Sequence, residues 1–232
     1  LPDRAAGQLL GILAAAAILF GSVLALRQAR LKLLIAYSTV AQIGYLFLLF
    51  PLAGGPQWGR PWSATAWTGG ILQALSHAFA KAAMFMAAGL IAEALGHDRV
   101  ARLAGIGPAL PVTVFAFALG GVSLMGLPPS GGFTAKAMLL TAAVGEGQWW
   151  WAVVILTGGL LAGGYVFLVL ARALADPGEP LILLANISLS RQAVALALAL
   201  CAVLLGFVPL RELPLLLIGR LAAPVVGISA GD

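Results

Sequence analysis

Gly126-Leu127-Pro128-Pro129-Ser130-Gly131-Gly132-Phe133-Thr134-Ala135-Lys136 interrupts an apolar run that extends from residue 109 to residue 144. As one straight helix those 36 residues would be about 54 Å long, against a bilayer hydrocarbon core of about 30 Å. The two prolines remove two backbone donors, and the glycines loosen the helix that remains. The stretch therefore predicts a broken helix: roughly 109–127, a kinked linker, then 133–144, with Pro128, Pro129, Gly131 and Gly132 as the break. Interrupted backbone at membrane depth is tolerated only where protein or water satisfies its polar groups, so the break is a hint of a cavity. Lys136 follows within a few residues and is expected to point into the protein.

Outward from this break the chain is apolar almost throughout. Of its 232 residues 62% are hydrophobic and 9% charged, with mean hydropathy +1.04, whereas a soluble domain carries roughly 25% charged residues. Apolar runs near 7–26, 33–52, 66–92, 149–171 and 192–218 join 109–144 to give about six spans. The runs are continuous rather than alternating, so they read as helices and not as a barrel. The fold class expected is all-α integral membrane. Residues 1–232 form one transmembrane domain, in which 5–175 make a five-helix unit and 176–232 a loop and terminal helix.

The formal charge of +5 does not indicate nucleic acid here, because the bases lie in short loops where they set orientation. Loops after spans one, three and five hold Arg27, Arg30, Lys32, Arg99, Arg102, Arg172 and Arg191; the other side holds Arg4, Arg60, Arg211 and Arg220. Seven against four places both termini outside the cytoplasm of a multi-pass protein, with the bacterial inner (cytoplasmic) membrane the location expected. Trp58, Trp62, Trp67 and Trp149-Trp150-Trp151 fall at span ends and read as an aromatic belt. There is no Gly-x-Gly-x-x-Gly after a strand and only one cysteine, so neither a cofactor, a metal site nor a catalytic site is expected in this chain.

Three ionisable residues lie deep in spans: His77, Lys81 and Lys136. Counted from residue 66, His77 is about 16 Å and Lys81 about 22 Å along the helix axis, near the bilayer middle. Their spacing of four puts them on one face, with Gln73 one turn earlier. A lysine at mid-helix costs roughly 2.5–3.5 kcal/mol to insert, so such residues read as functional by default. The carboxylates Glu93 and Glu146 sit near span ends, leaving these bases without an acidic partner. Bases lacking counter-anions, in file with polar groups and water, can pass protons.

The motifs resemble those of the antiporter-like membrane subunits of proton-pumping NADH:quinone oxidoreductase, complex I, and of Mrp-type cation/proton antiporters. The resemblance rests on Lys32-Leu33-Leu34-Ile35-Ala36-Tyr37-Ser38-Thr39-Val40-Ala41-Gln42-Ile43-Gly44-Tyr45, on Ser76-His77-Ala78-Phe79-Ala80-Lys81-Ala82-Ala83-Met84-Phe85, and on the stretch from Gly126 to Lys136. It implies one of the family's two inverted five-helix repeats plus a terminal helix. Lys81 and His77 would be the central proton relay and Lys136 the terminal proton-exchanging lysine, with Gln73, Lys32, Tyr37 and Ser38 as supporting polar residues. It also implies other membrane subunits and the lipid bilayer as partners, and protons as the transported ion, with Na+ or K+ open. The chain departs from the pattern at Arg30, where members carry an acid, and at Leu33, where they carry a base, so the ion pair there is lost. Gln73 replaces a histidine of some members. The first repeat is absent, so the chain, opening on Leu1-Pro2-Asp3, reads either as the C-terminal part of a longer subunit or as half a channel that needs a partner. An Mrp-type role, a structural subunit without conduction, and a membrane enzyme using His77 as base compete with respiratory proton translocation.

Overall fold

The computed structural model describes residues 4–53, 61–178 and 180–208. Trp58, Arg60, Arg211 and Arg220 lie outside the described residues, as do the side chains of Arg4 and Trp62 and the end of the expected sixth span. The helices, in chain order, are α1 (Arg4–Leu26), α2 (Leu31–Phe47), α3 (Leu49–Ala53), α4 (Pro61–Leu95), α5 (Ile106–Ala109), α6 (Pro111–Met125), α7 (Gly131–Gly145), α8 (Trp149–Ala173) and α9 (Leu189–Leu204). Four stretches are long and apolar enough to cross a membrane: Ala5–Leu26, Leu31–Ala53, Ser63–Leu95 and Trp149–Ala173. The protein is an all-helical, multi-pass integral membrane protein.

The loops sort into two ends. At one, Leu31 N–H donates to Asp98 O (2.7 Å), Val100 N–H to Ala29 O (2.8 Å), Leu184 N–H to Ala94 O (2.7 Å) and Gly105 N–H to Ala175 O (2.9 Å). The loops after α1, α4 and α8, which carry most of the bases, therefore assemble together. At the other, Gln148 ties three elements: its Oε1 accepts from Gln8 (2.8 Å), and its Nε2 donates to Pro51 O (3.0 Å). Because α6 begins at the first end and α7 finishes at the second, the two together make a single crossing.

Small residues set the helix spacing, as expected where lipid supplies no hydrophobic drive between helices. A Cβ on Gly21 would lie 2.7 Å from Ala41 N, and one on Gly44 2.7 Å from Ala14 O, so α1 and α2 meet backbone to backbone at two levels. Ala83, Ala116, Ala195 and Ala199 bring α4, α6 and α9 together in the same way. As a result α4 becomes the hub, packed by α2, α3, α6, α7 and α9.

Three sequence expectations need correction here. The linker between the two half-helices lies at 126–130 rather than 128–132: α6 ends at Met125, and Gly131 and Gly132 are already helical. Ser130 is the reason, since its Oγ caps α7 by accepting from Phe133 N–H (3.1 Å), which draws both glycines into the first turn. The ion pair expected to be lost at Arg30 has a substitute, since Arg30 Nε binds Asp98 at 3.0 Å. In the tryptophan run, Trp149 and Trp150 face outward, but Trp151 is buried and donates to Gln148 (2.9 Å).

Candidate functional site

The break builds one end of the site. Gly126 adopts φ 78°, ψ 45°, and the amides of Gly126 and Leu127 turn back onto Ser123 O (3.1 Å) and Val122 O (3.1 Å). That reversal ends α6 in the manner of a Schellman motif and leaves the Leu124 carbonyl facing inward. Lys136 Nζ, on the second turn of α7, donates to Leu124 O, and Gln42 Nε2 donates to the same oxygen at 3.2 Å. The ammonium group also lies 4.4 Å from the centroid of the Tyr45 ring. A helix C-terminus and an aromatic face both favour a cation. Close approach depends on glycine: a Cβ on Gly132 would overlap the Ser123 carbonyl oxygen, and one on Gly126 would lie 2.7 Å from Lys136 Cδ.

Lys81 occupies the middle of α4. Its Nζ donates to Ile35 O (2.7 Å) and to Ser38 Oγ, both on α2, and Ser38 Oγ donates to Ile35 O at 2.9 Å. Lys81 and Lys136 are each only 6% exposed, and the acceptors of both ammonium groups are uncharged oxygens. At the basic end of the bundle two carboxylates pair with bases, Asp98 with Arg30 and Glu93 with Arg191.

The structure distributes the remaining predicted residues unevenly. Gln73 is buried but turns to α2, donating to Gln42 Oε1 at 2.9 Å. His77 is half-buried, its Nδ1 is enclosed without a hydrogen-bond partner, and it lies within electrostatic reach of both Lys81 and Lys136. Tyr37 is half-buried and Lys32 is exposed near the basic end, so Ser38 alone of these three joins the lysines. Pro128 and Pro129, joined by a cis bond, lie in the linker between α6 and α7.

The site also contains residues that the sequence reading passed over. Gln42 joins Gln73 to the Leu124 carbonyl, and it stands one turn after Ser38 on the same buried face of α2. Polar residues at 38, 42 and 45 in an apolar run are the signal that could have found it. Ser76 and Ser123 share a hydrogen bond of 2.7 Å between α4 and α6. From the α8 side, an apolar cleft of about 670 Å³ reaches the Lys136 stem between Phe133 and Leu160.

Comparisons with known proteins fit this architecture. A family model described as "NADH:quinone oxidoreductase/Mrp antiporter, TM" matches residues 3–162. Over 175 residues the chain is 38% identical to NADH-quinone oxidoreductase subunit N of Desulforudis audaxviator, covering 74% of this chain and 33% of that one. It is 31% identical to NADH-quinone oxidoreductase subunit L of Pseudomonas aeruginosa, over 75% of this chain and 26% of the relative. Among solved structures, the Mrp complex from Dietzia sp. DQ12-45-1b contains a chain similar at TM-score 0.76 and 25% identity, over 87% of this chain and 44% of that one. The chain thus spans about a third or less of the length of these curated relatives.

Proposed function

The chain belongs to the NADH:quinone oxidoreductase/Mrp antiporter transmembrane family, and from that premise we propose that it forms part of a proton-translocating path in which Lys81, His77 and Lys136 exchange protons. The observation that carries this reading is the pair of buried ammonium groups held only by neutral oxygens. Ionisable groups buried in a membrane pair with one another or with backbone carbonyls and mark ion pathways. Here each lysine rests on uncharged acceptors, Ile35 O with Ser38 Oγ and Leu124 O, to which a neutral amine can still donate, more weakly, after it has lost a proton. Gln42, bonded to Gln73, sits at the Lys136 end on the shared Leu124 carbonyl, and the half-buried His77 stands one turn before Lys81 on α4.

On this reading residues 5–175 are one five-helix repeat and 176–232 a loop and terminal helix of a longer subunit. Its partners are other membrane subunits of a respiratory or antiporter complex and the surrounding lipid. The setting is the bacterial inner membrane, as the bacterial relatives suggest. Moving a proton against the membrane potential costs about 2.3 kcal/mol per 100 mV, so the path must be driven by a partner, either a redox arm or a counter-transported Na+ or K+. Redox coupling is favoured because the relatives at 38% and 31% identity are both quinone oxidoreductase subunits.

The test is proton transport by the intact complex in proteoliposomes, read with an enclosed pH dye and normalised to assembled protein. Lys81→Ala and Lys136→Ala should each remove most of it. Near-normal transport by both variants would overturn the reading.

A further inference from the structure

The Tyr165 hydroxyl is the one buried polar group of α8 that the proposed path leaves without a task. Tyr165 is 0% exposed, and its hydroxyl lies against the side chains of Ser38 and Gln42 yet has no hydrogen bond of good geometry to either. An unpaired hydroxyl in such an interior is a net cost to the fold. A phenylalanine would pack in the same core, among Leu34, Ile35 and Val166, without that cost.

The two neighbours of this hydroxyl belong to different ends of the site. Ser38 Oγ accepts from Lys81, whereas Gln42 shares the Leu124 carbonyl with Lys136. Ser38 and Gln42 are one α2 turn apart, about 6 Å along the axis, and their side chains bond to other partners rather than to each other. A hydroxyl both donates and accepts, so one placed against both residues can bond to either by a small rotation. Ser38 Oγ spends its proton on Ile35 O and, as a hydroxyl with two lone pairs, retains one beyond that used by Lys81. Gln42 Oε1, accepting from Gln73, likewise retains a second.

We infer that Tyr165 is a positioning residue of the transport path, whose hydroxyl alternates between Ser38 and Gln42 and thereby couples the surroundings of Lys81 to those of Lys136. When Lys81 gives up a proton, its hold on Ser38 changes, and the hydroxyl's preference between its two neighbours changes with it. Gln42, and through it the acceptor of Lys136, then responds. The coupling needs no movement of helices, only rotation of a phenolic O–H. It rests on the proton-exchange reading of the two lysines.

Tyr165→Phe, in the full-length subunit within its assembled complex, tests this in proteoliposomes beside Lys136→Ala. Removing the hydroxyl should slow transport roughly fivefold or more, the scale of one buried hydrogen bond, and should change the ratio of rates in H2O and D2O. Ser38→Ala with Tyr165→Phe should be no slower than the slower single variant, because both interrupt one connection. Full-rate transport by Tyr165→Phe beside an inactive Lys136→Ala overturns the coupling and leaves the lysine reading standing. Full-rate transport by Lys136→Ala overturns the lysine reading itself. A slowed Tyr165→Phe with an unaltered isotope ratio assigns the residue a packing role only and also overturns the inference. Should Tyr165→Phe not assemble, Ser38→Ala and Gln42→Leu take its place: additive losses from the pair overturn the coupling, and non-additive losses support it.

Discussion

Replacing Lys136 by methionine separates the cost of its charge from its use. The side chains are similar in length, and the lysine donates only to the Leu124 carbonyl while lying over the Tyr45 ring. Removing the ammonium forfeits a charged hydrogen bond, worth roughly 1.5–3 kcal/mol, and a cation–π contact of up to about 2 kcal/mol. It also relieves an insertion cost of roughly 2.5–3.5 kcal/mol. No acceptor is orphaned, because Gln42 Nε2 continues to donate to Leu124 O at 3.2 Å. The terms nearly cancel, so Lys136→Met should assemble with stability within about 2 kcal/mol of the parent, a shift in apparent Tm of less than roughly 8 °C for a unit of this size. Proton transport, in contrast, should fall to background. Lys136→Arg retains the charge but cannot release its proton at accessible pH, so it should fail nearly as badly; a fixed-charge role predicts that arginine would substitute. Fluorescence-monitored unfolding of the purified complex, paired with pH-dye transport, reads both quantities. Transport by Lys136→Met, near-normal transport by Lys136→Arg, or loss of the assembled complex in Lys136→Met would each refute the reasoning.

The remaining predictions address the scaffold around the lysines. Gly132→Ala places a methyl group on the Ser123 carbonyl and should force α7 away from α6, costing about 1–3 kcal/mol or more and slowing transport; unchanged stability on thermal unfolding would show that the two helices do not meet so closely. Gln42→Leu removes one of the two donors to Leu124 O and the partner of Gln73, so transport should drop while assembly persists, and a parental rate would exclude Gln42 from the path. Asp98→Asn weakens only a peripheral pair with Arg30, whose side chain is 66% exposed; such pairs contribute about 0–1 kcal/mol, so transport should remain within twofold or so of the parent.

Hydrophobic run length and the Pro-Pro-Ser-Gly-Gly sequence carried most of the fold, because spans and breaks are local properties of the chain. The same locality explains what could not be read. Lys81, His77 and Gln73 share a helical register, and register predicts a common stripe, yet Gln73 is drawn sideways to Gln42 because α2 supplies the acceptor there. Which residue of α2 faces α4 depends on how α1 and α2 interlock at Gly21 and Gly44, a tertiary fact that no periodicity reports. Lys32 illustrates the reverse: it sits in a motif and is basic, but it occupies an exposed position at the basic end, one turn of α2 before the buried Ile35 and nearly two before Ser38, the residues that hold Lys81. Gly131 and Gly132 had a double meaning. Their weak helix propensity argued for a loop, while their lack of side chains is what lets a capped helix start against Ser123, Ser76 and Leu205. Capping by Ser130 decided between the two, and it thereby set the rotation of α7 that brings Lys136 under the end of α6. The chemistry of the site thus depends on one serine that bears no charge and touches neither lysine. The cap favours a start at Gly131, from which Lys136 falls in the second turn of α7, beside the Leu124 carbonyl that Gln42 already holds.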